Sequence, residues 1–374
     1  MPLLGRQPVG ALVSVLLLLA CAPAAPAAKP AAVASPAIPA SLTAPPLAPV
    51  AQPTSALLTA PAAVRVRVIG SSSDAALYLA AERGYFQQQG LAVTLEPIRS
   101  ATDVVAALGT GALDAAGGGL NPGLFNALHR GVAVRIVADK GTLRAGFGYE
   151  SFMVRRDLID SGRFADYRDV RGLKVALNNL ASIEAFLLAR VLDQAGLRQD
   201  DVEVIQLSFA DQLAGFGNRA IDASTLIEPF VARAEDSNLA TSFVTLDKLA
   251  LDQQLSVLMY GSALVQGGPD AGRRFMVAYV QGVRDYNDAF LHGQGTDAVI
   301  DVLTRETTIK EAALWRRITP PGLNPNGSAS RESIAQVQDF FIAQGHVPER
   351  VEMDQLLDNS YVEYALQRLG PYAR

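Results

Sequence analysis

The chain has 374 residues, 49% of them hydrophobic, a formal net charge of −5 and one cysteine. A single cysteine excludes an intrachain disulfide framework and a cysteine-rich metal cluster. No run of Lys and Arg is present, so nucleic acid is not expected as a partner, because phosphate contacts need clustered cations.

Residues 1–21 carry Arg6 ahead of the apolar run 11–20. A run of about ten residues fits the hydrophobic part of a secretory leader, whereas a membrane span needs about 20. Leu18-Leu19-Ala20-Cys21 resembles the lipobox of bacterial lipoproteins, which implies cleavage before Cys21, a lipid on its thiol and an anchor in the membrane. The plainer alternative is an ordinary leader with a chance cysteine. Residues 22–63 are almost entirely Ala, Pro, Ser, Thr, Val and Leu, with Lys29 as the one charge. Frequent proline and the lack of any helix or strand period predict a disordered, partly extended tether.

About 310 residues remain, more than one typical domain, which predicts two lobes. Val66, Val68 and Ile69 form a short apolar strand leading into Gly70-Ser71-Ser72-Ser73-Asp74. A helical run over 75–83 ends at Gly84. A strand over 92–97, a helical run over 101–108 and a short strand of small residues ending in Gly117-Gly118-Gly119 follow. This alternation predicts an α/β fold, with mainly parallel sheets flanked by helices. In such sheets the ligand crevice lies outside the carboxyl ends of the strands. Asn121-Pro122 opens the next helix, and Val134, Ile136 and Val137 form a strand ending at Asp139. Residues 141–150 read as a glycine-rich loop and 151–155 as a strand crossing into the second lobe.

The second lobe repeats the pattern: a strand at Lys174-Val175-Ala176, a helix after Ser182, a strand over 202–207, a helix over 211–219 and a small-residue strand before Glu228. Residues 255–260 form a strand returning to the first lobe. Helical patterns then cover 271–291, 296–305, 310–317, 330–344 and 360–369. The expected division is lobe 1 from 64–152 and 261–374, and lobe 2 from 153–260.

Several phrases carry a family likeness: Ala80-Ala81-Glu82-Arg83-Gly84-Tyr85-Phe86, Gly90-Leu91-Ala92-Val93, Leu108 to Ala115, Asp169-Val170-Arg171-Gly172-Leu173-Lys174-Val175-Ala176, and Ala220-Ile221-Asp222-Ala223 with Glu228-Pro229. Together they resemble substrate-binding proteins of ABC importers, in the branch that binds aliphatic sulfonates, nitrate or taurine, and thiamine precursors. The resemblance implies a two-lobed periplasmic-binding-protein fold of type II with the ligand cleft between the lobes. It also implies an extracytoplasmic monomer that captures a small-molecule ligand, such as a sulfonate, nitrate or carboxylate anion, and delivers it to an ABC permease and its ATPase. A heteroaromatic ligand is the alternative, as are an enzyme or a ligand sensor on the same fold.

No G-x-S-x-G, P-loop, H-E-x-x-H or G-x-G-x-x-G motif is present, so no catalytic residues, metal or cofactor are expected. His129, His292 and His346 each fall where a helix pattern ends, which suits solvated or capping residues. Binding is better supported. Ser71, Ser72 and Ser73 place hydroxyls and N–H groups at a helix start, which suits an anion, and also suits plain N-capping by Ser73 or Asp74. Gly118, Gly119 and Asn121 let backbone approach a ligand, or simply form a turn. Asn179, Ala181 and Ser182 lead the second-lobe helix, with capping by Ser182 as the structural alternative. Thr225 and Glu228 end the small-residue strand, and Glu228 either accepts from a ligand or steadies the next helix. Tyr78, Phe147, Tyr149 and Tyr260 are candidate walls.

Overall fold

The computed structural model describes residues 61–97 and 104–373. The leader, Cys21 and nearly all of the tether lie outside the described residues.

The first sheet has strand order β2-β1-β3-β10-β4, with β1 Ala62–Val68, β2 Leu91–Pro97, β3 Ala115–Gly119, β4 Arg135–Thr142 and β10 Gln254–Tyr260. The second has order β7-β6-β8-β5-β9, with β5 Glu150–Arg155, β6 Lys174–Leu177, β7 Glu203–Gln206, β8 Ala223–Ile227 and β9 Ala240–Thr245. In each sheet one strand is reversed: β10 runs antiparallel to β3 and β4, and β5 antiparallel to β8 and β9. These reversed strands are the two passages of the chain between lobes. The fold is the α/β, two-lobed type expected, with sheets that are mainly parallel apart from the one reversed strand in each.

Two boundaries differ from the sequence pattern. β1 takes in Ala62 and Ala63, read above as the end of the tether, because their backbones pair in parallel register with Leu91 and Ala92. β4 continues past Asp139 to Thr142, with Gly141 opposite Ser256 and a register shift in the ladder. Ladder pairing to a neighbouring strand decides these residues, which composition alone reads as coil.

The first lobe is built on the helix Pro269–His292, which packs against the helix Ala75–Glu82 through Phe275, Tyr279, Val283, Leu77 and Ala80 in one buried cluster. Gly282 permits that contact: a Cβ there would lie 2.2 Å from the Ala76 carbonyl oxygen. The helix Arg331–Ala343 reaches across to the second lobe, and Phe340 meets Phe186 edge-on with ring centroids 5.5 Å apart. Tyr78 and Tyr260 are core residues, the latter donating to the Gly272 carbonyl. No described helix is long and apolar enough to cross a membrane.

Candidate functional site

β5 begins at the end of the second sheet where the parallel strands β6 and β8 finish, since Glu150 pairs with Ile227. The loops after β6 and β8, the first residues of β5 and the start of the helix Ile183–Asp193 therefore share one edge of the lobe. The corresponding edge of the first lobe holds the loops after β1, β3 and β4.

In the first lobe, Asp74 organises the serine loop. One carboxylate oxygen accepts the N–H groups of Ile69, Gly70 and Ser71 at 2.8, 2.7 and 3.2 Å. The other pairs with Lys140 Nζ at 2.8 Å. Lys140 also donates to Ser73 Oγ at 2.6 Å, and Ser73 shares a hydrogen bond with Ser71. The N–H groups of Ile69, Gly70 and Ser71 are thus turned toward the chain's own carboxylate. Ser72 Oγ is buried without a hydrogen-bond partner. Gly118 accepts from Ser256 Oγ through its carbonyl, and Asn121 caps the helix Pro122–His129 by accepting from Leu124 N while its amide donates to Gly119 O. Ser73, Gly141 and Ser256 are neighbours, because a Cβ on Gly141 would lie 3.8 Å from Ser73 and 3.4 Å from Ser256.

In the second lobe, Asn179 Oδ1 accepts the Ala181 N–H at 2.9 Å. Ser182 occupies the N-cap position of Ile183–Asp193, yet its side chain makes no cap bond. Its hydroxyl lies 2.6 Å from the Asn179 carbonyl and in close contact with the Glu184 carboxyl. Thr225 Oγ1 is buried without a partner. Glu228 accepts from Ala232 N at 3.1 Å, and the Thr319 backbone of the first lobe also acts on its carboxyl. Burial holds its carboxyl at about 7, above the usual carboxylate range. Arg317 with Asp236, 2.5 Å apart, and Arg233 with Glu311, 3.7 Å apart, join the lobes on the same flank.

The candidates thus gather in two clusters, one per lobe. Phe147 lines a hollow of about 450 Å³ with Phe290, Trp315 and Pro320 beside Thr319. A second hollow, of about 490 Å³, lies along Leu188, Leu192 and Phe340 and involves none of the candidate residues.

Two buried carboxylic residues absent from the candidates lie at the same edge of the second lobe. Glu150, on β5, and Glu184, in the first turn of Ile183–Asp193, are both buried, and Glu150 is influenced by Glu184 and by the Tyr149 hydroxyl. Burial first, then the Glu184 charge, pushes Glu150 well above the usual carboxylate range; burial also raises Glu184. Tyr149 is also raised, by burial first and then by the two glutamates, and Tyr286 of the first lobe acts on it too. A carboxylate opening a strand whose centre, Phe152-Met153-Val154, is apolar was the available signal.

The NMT1/THI5-like family profile matches residues 72–288, more than half of the chain. This chain belongs to the NMT1/THI5-like family. A relative of this NMT1/THI5-like protein in Brucella abortus, named as a binding protein, is 24% identical over 213 residues, covering 56% of this chain and 62% of the relative. The match therefore spans less than two thirds of that relative's length. Among solved structures, the periplasmic nitrate-binding protein NrtA of Synechocystis superimposes with a TM-score of 0.67 at 15% identity, over 83% of this chain and 89% of that one. The periplasmic aliphatic sulphonate binding protein SsuA of Escherichia coli gives 0.64 at 20% identity, over 80% and 92%. The desulfurization enzyme DSZB gives 0.59 at 17% identity, over 82% and 99%. At these identities the likeness to solved structures is one of fold.

Proposed function

We propose that this NMT1/THI5-like protein is the extracytoplasmic solute-binding component of an ABC importer, held at the membrane by a lipid on Cys21. A small solute enters the crevice, bridges the lobes and selects the closed form, which the permease then receives. The observation that carries this reading is the arrangement of the crevice. Loops at the strand ends of two lobes face one another, and the lobes are joined by two passages that pair where Asp252 N donates to Leu143 O and Leu143 N to Gln253 O, at 2.6 and 2.9 Å. Two adjacent passages of this kind suit hinge closure between two states. The Glu228–Thr319 contact fits the closed one.

The family resemblance favours a small anion as the solute, with a heteroaromatic ligand as the rival. A thermal-shift screen over sulfonates, nitrate, carboxylates, pyrimidines and amines tests the reading. A true solute at about 100 times its Kd should stabilise the fold by about 2.7 kcal/mol. Small-angle scattering with the hit should show a more compact particle. A stabilising solute without compaction would contradict hinge closure.

A further inference from the structure

We propose that Glu150 and Glu184 form the solute-reading group of the crevice and select a solute bearing a protonated amine or amidine, against anions. This rests on the solute-binding reading and replaces the anion that the family resemblance favours with a cationic solute.

The unsatisfied groups around the acidic pair lead there. The Ser182 hydroxyl has one hydrogen and faces both the Asn179 carbonyl, 2.6 Å away, and Glu184. A carbonyl can only accept. The single Ser182 hydrogen is therefore shared between the Asn179 carbonyl and the Glu184 carboxyl, both of which accept. Like charges sharing a buried site do not both ionise readily, and here burial and the Glu184 charge push Glu150 well above the usual carboxylate range.

Glu150 is left incomplete. The Tyr149 hydroxyl bonds to its carboxyl, but Oε2 is buried with no partner, and the residue is 2% exposed. As a carboxylate this oxygen lacks a donor; as an acid its O–H lacks an acceptor. Either state leaves a costly buried group. Among the described residues, no Lys or Arg forms an ion pair with Glu150 or Glu184, so the chain itself does not neutralise them.

A second observation lies beside it. Thr225 is fully buried and its Oγ1 also lacks a partner. Thr225 pairs with Phe152, two residues along from Glu150 on β5, so Thr225 and Glu150 lie on the same face of the sheet. That face is the one packed by Phe186 and Leu187 of the helix that carries Glu184. The incomplete hydroxyl and the incomplete carboxyl are therefore disposed toward one polar spot at the crevice end of the sheet. A planar amidine, or an amine with several N–H groups, supplies donors to both carboxyls and to the hydroxyl and brings the missing positive charge. An anion supplies neither.

The test uses two isosteric triplets as probes: benzamidine, benzamide and benzoate, and acetamidine, acetamide and acetate. Calorimetric titration of the protein should show at least one amidine binding tenfold or more tightly than its carboxylate. Glu150→Gln should remove that preference while leaving the melting temperature unchanged or raised, because it removes a buried ionisable group without changing its size. Glu184→Gln can still accept from Ser182 through its amide oxygen and should keep the fold while also weakening the amidine. A different hit that carries N–H donors and is lost in Glu150→Gln equally upholds the assignment. Tighter binding of a carboxylate or sulfonate, or a preference unchanged in Glu150→Gln, overturns it and leaves the importer reading standing. If no solute in the wider screen shifts the melting curve, both fall.

Discussion

Lys140 and Asp74 form an ion pair of 2.8 Å in which both side chains are fully buried. The pair ties the end of β4 to the loop after β1, where Asp74 also holds three backbone N–H groups. Gly117 makes room for it: a Cβ there would lie 2.1 Å from Lys140 Cε. Removing one partner of a buried pair leaves an uncompensated charge, which costs about 3–5 kcal/mol. Lys140→Met should lower unfolding stability by about that amount in urea titration, and adding Asp74→Asn should recover part of the loss. Gly117→Ala should cost about 1–3 kcal/mol by displacing the lysine stem. Stability within 0.5 kcal/mol of the parent for Lys140→Met would show that the pair is dispensable.

Glu228 predicts a pH dependence. Its folded pKa is raised from 4.5 to about 7 by burial, so the folded state binds its proton more tightly than the unfolded state does. The stability this contributes is complete below pH about 4.5 and is lost as pH rises to about 7, an effect of at most about 3 kcal/mol. Glu228→Gln keeps an acceptor for the Thr319 and Ala232 N–H groups but does not ionise. The variant should therefore be more stable than the parent at pH 8, with the gap closing toward pH 5. Parallel stability–pH curves for the two proteins would show that Glu228 is not the group responsible.

The lipid anchor has its own test. Cys21→Ser should abolish incorporation of labelled palmitate and leave the precursor uncut or the protein soluble. Continued labelling of the variant would disprove lipidation at Cys21.

The alternation of strands and helices was legible because it is written in local periodicity. Val66 and Val68 alternate inward on β1, and residues 360–369 form the helix their spacing predicts. The histidines sit at helix ends as read: His129 and His292 are the last residues of their helices, and His346 follows Arg331–Ala343. The crevice was less legible, because its chemistry depends on which polar atoms find partners in three dimensions. Ser182 reads as a cap from its place before an acidic first turn, yet its hydroxyl turns to Asn179 and Glu184 instead. The serine loop reads as an anion site or a cap, and its spacing does not reveal that Asp74 takes the N–H groups of Ile69, Gly70 and Ser71. Glu150 and Glu184 are 34 residues apart and meet only because β5 starts where the helix Ile183–Asp193 begins. No spacing in the chain marks that meeting.

The central claim is that the crevice captures a small solute and leaves it chemically intact. Native mass spectrometry of the protein with its best solute from the thermal screen tests this most directly, followed by release of the solute and measurement of its mass. One solute per chain, recovered unchanged after prolonged incubation, is the predicted result. Recovery of a chemically altered product, or no solute retained at any concentration that saturates the thermal response, would contradict it.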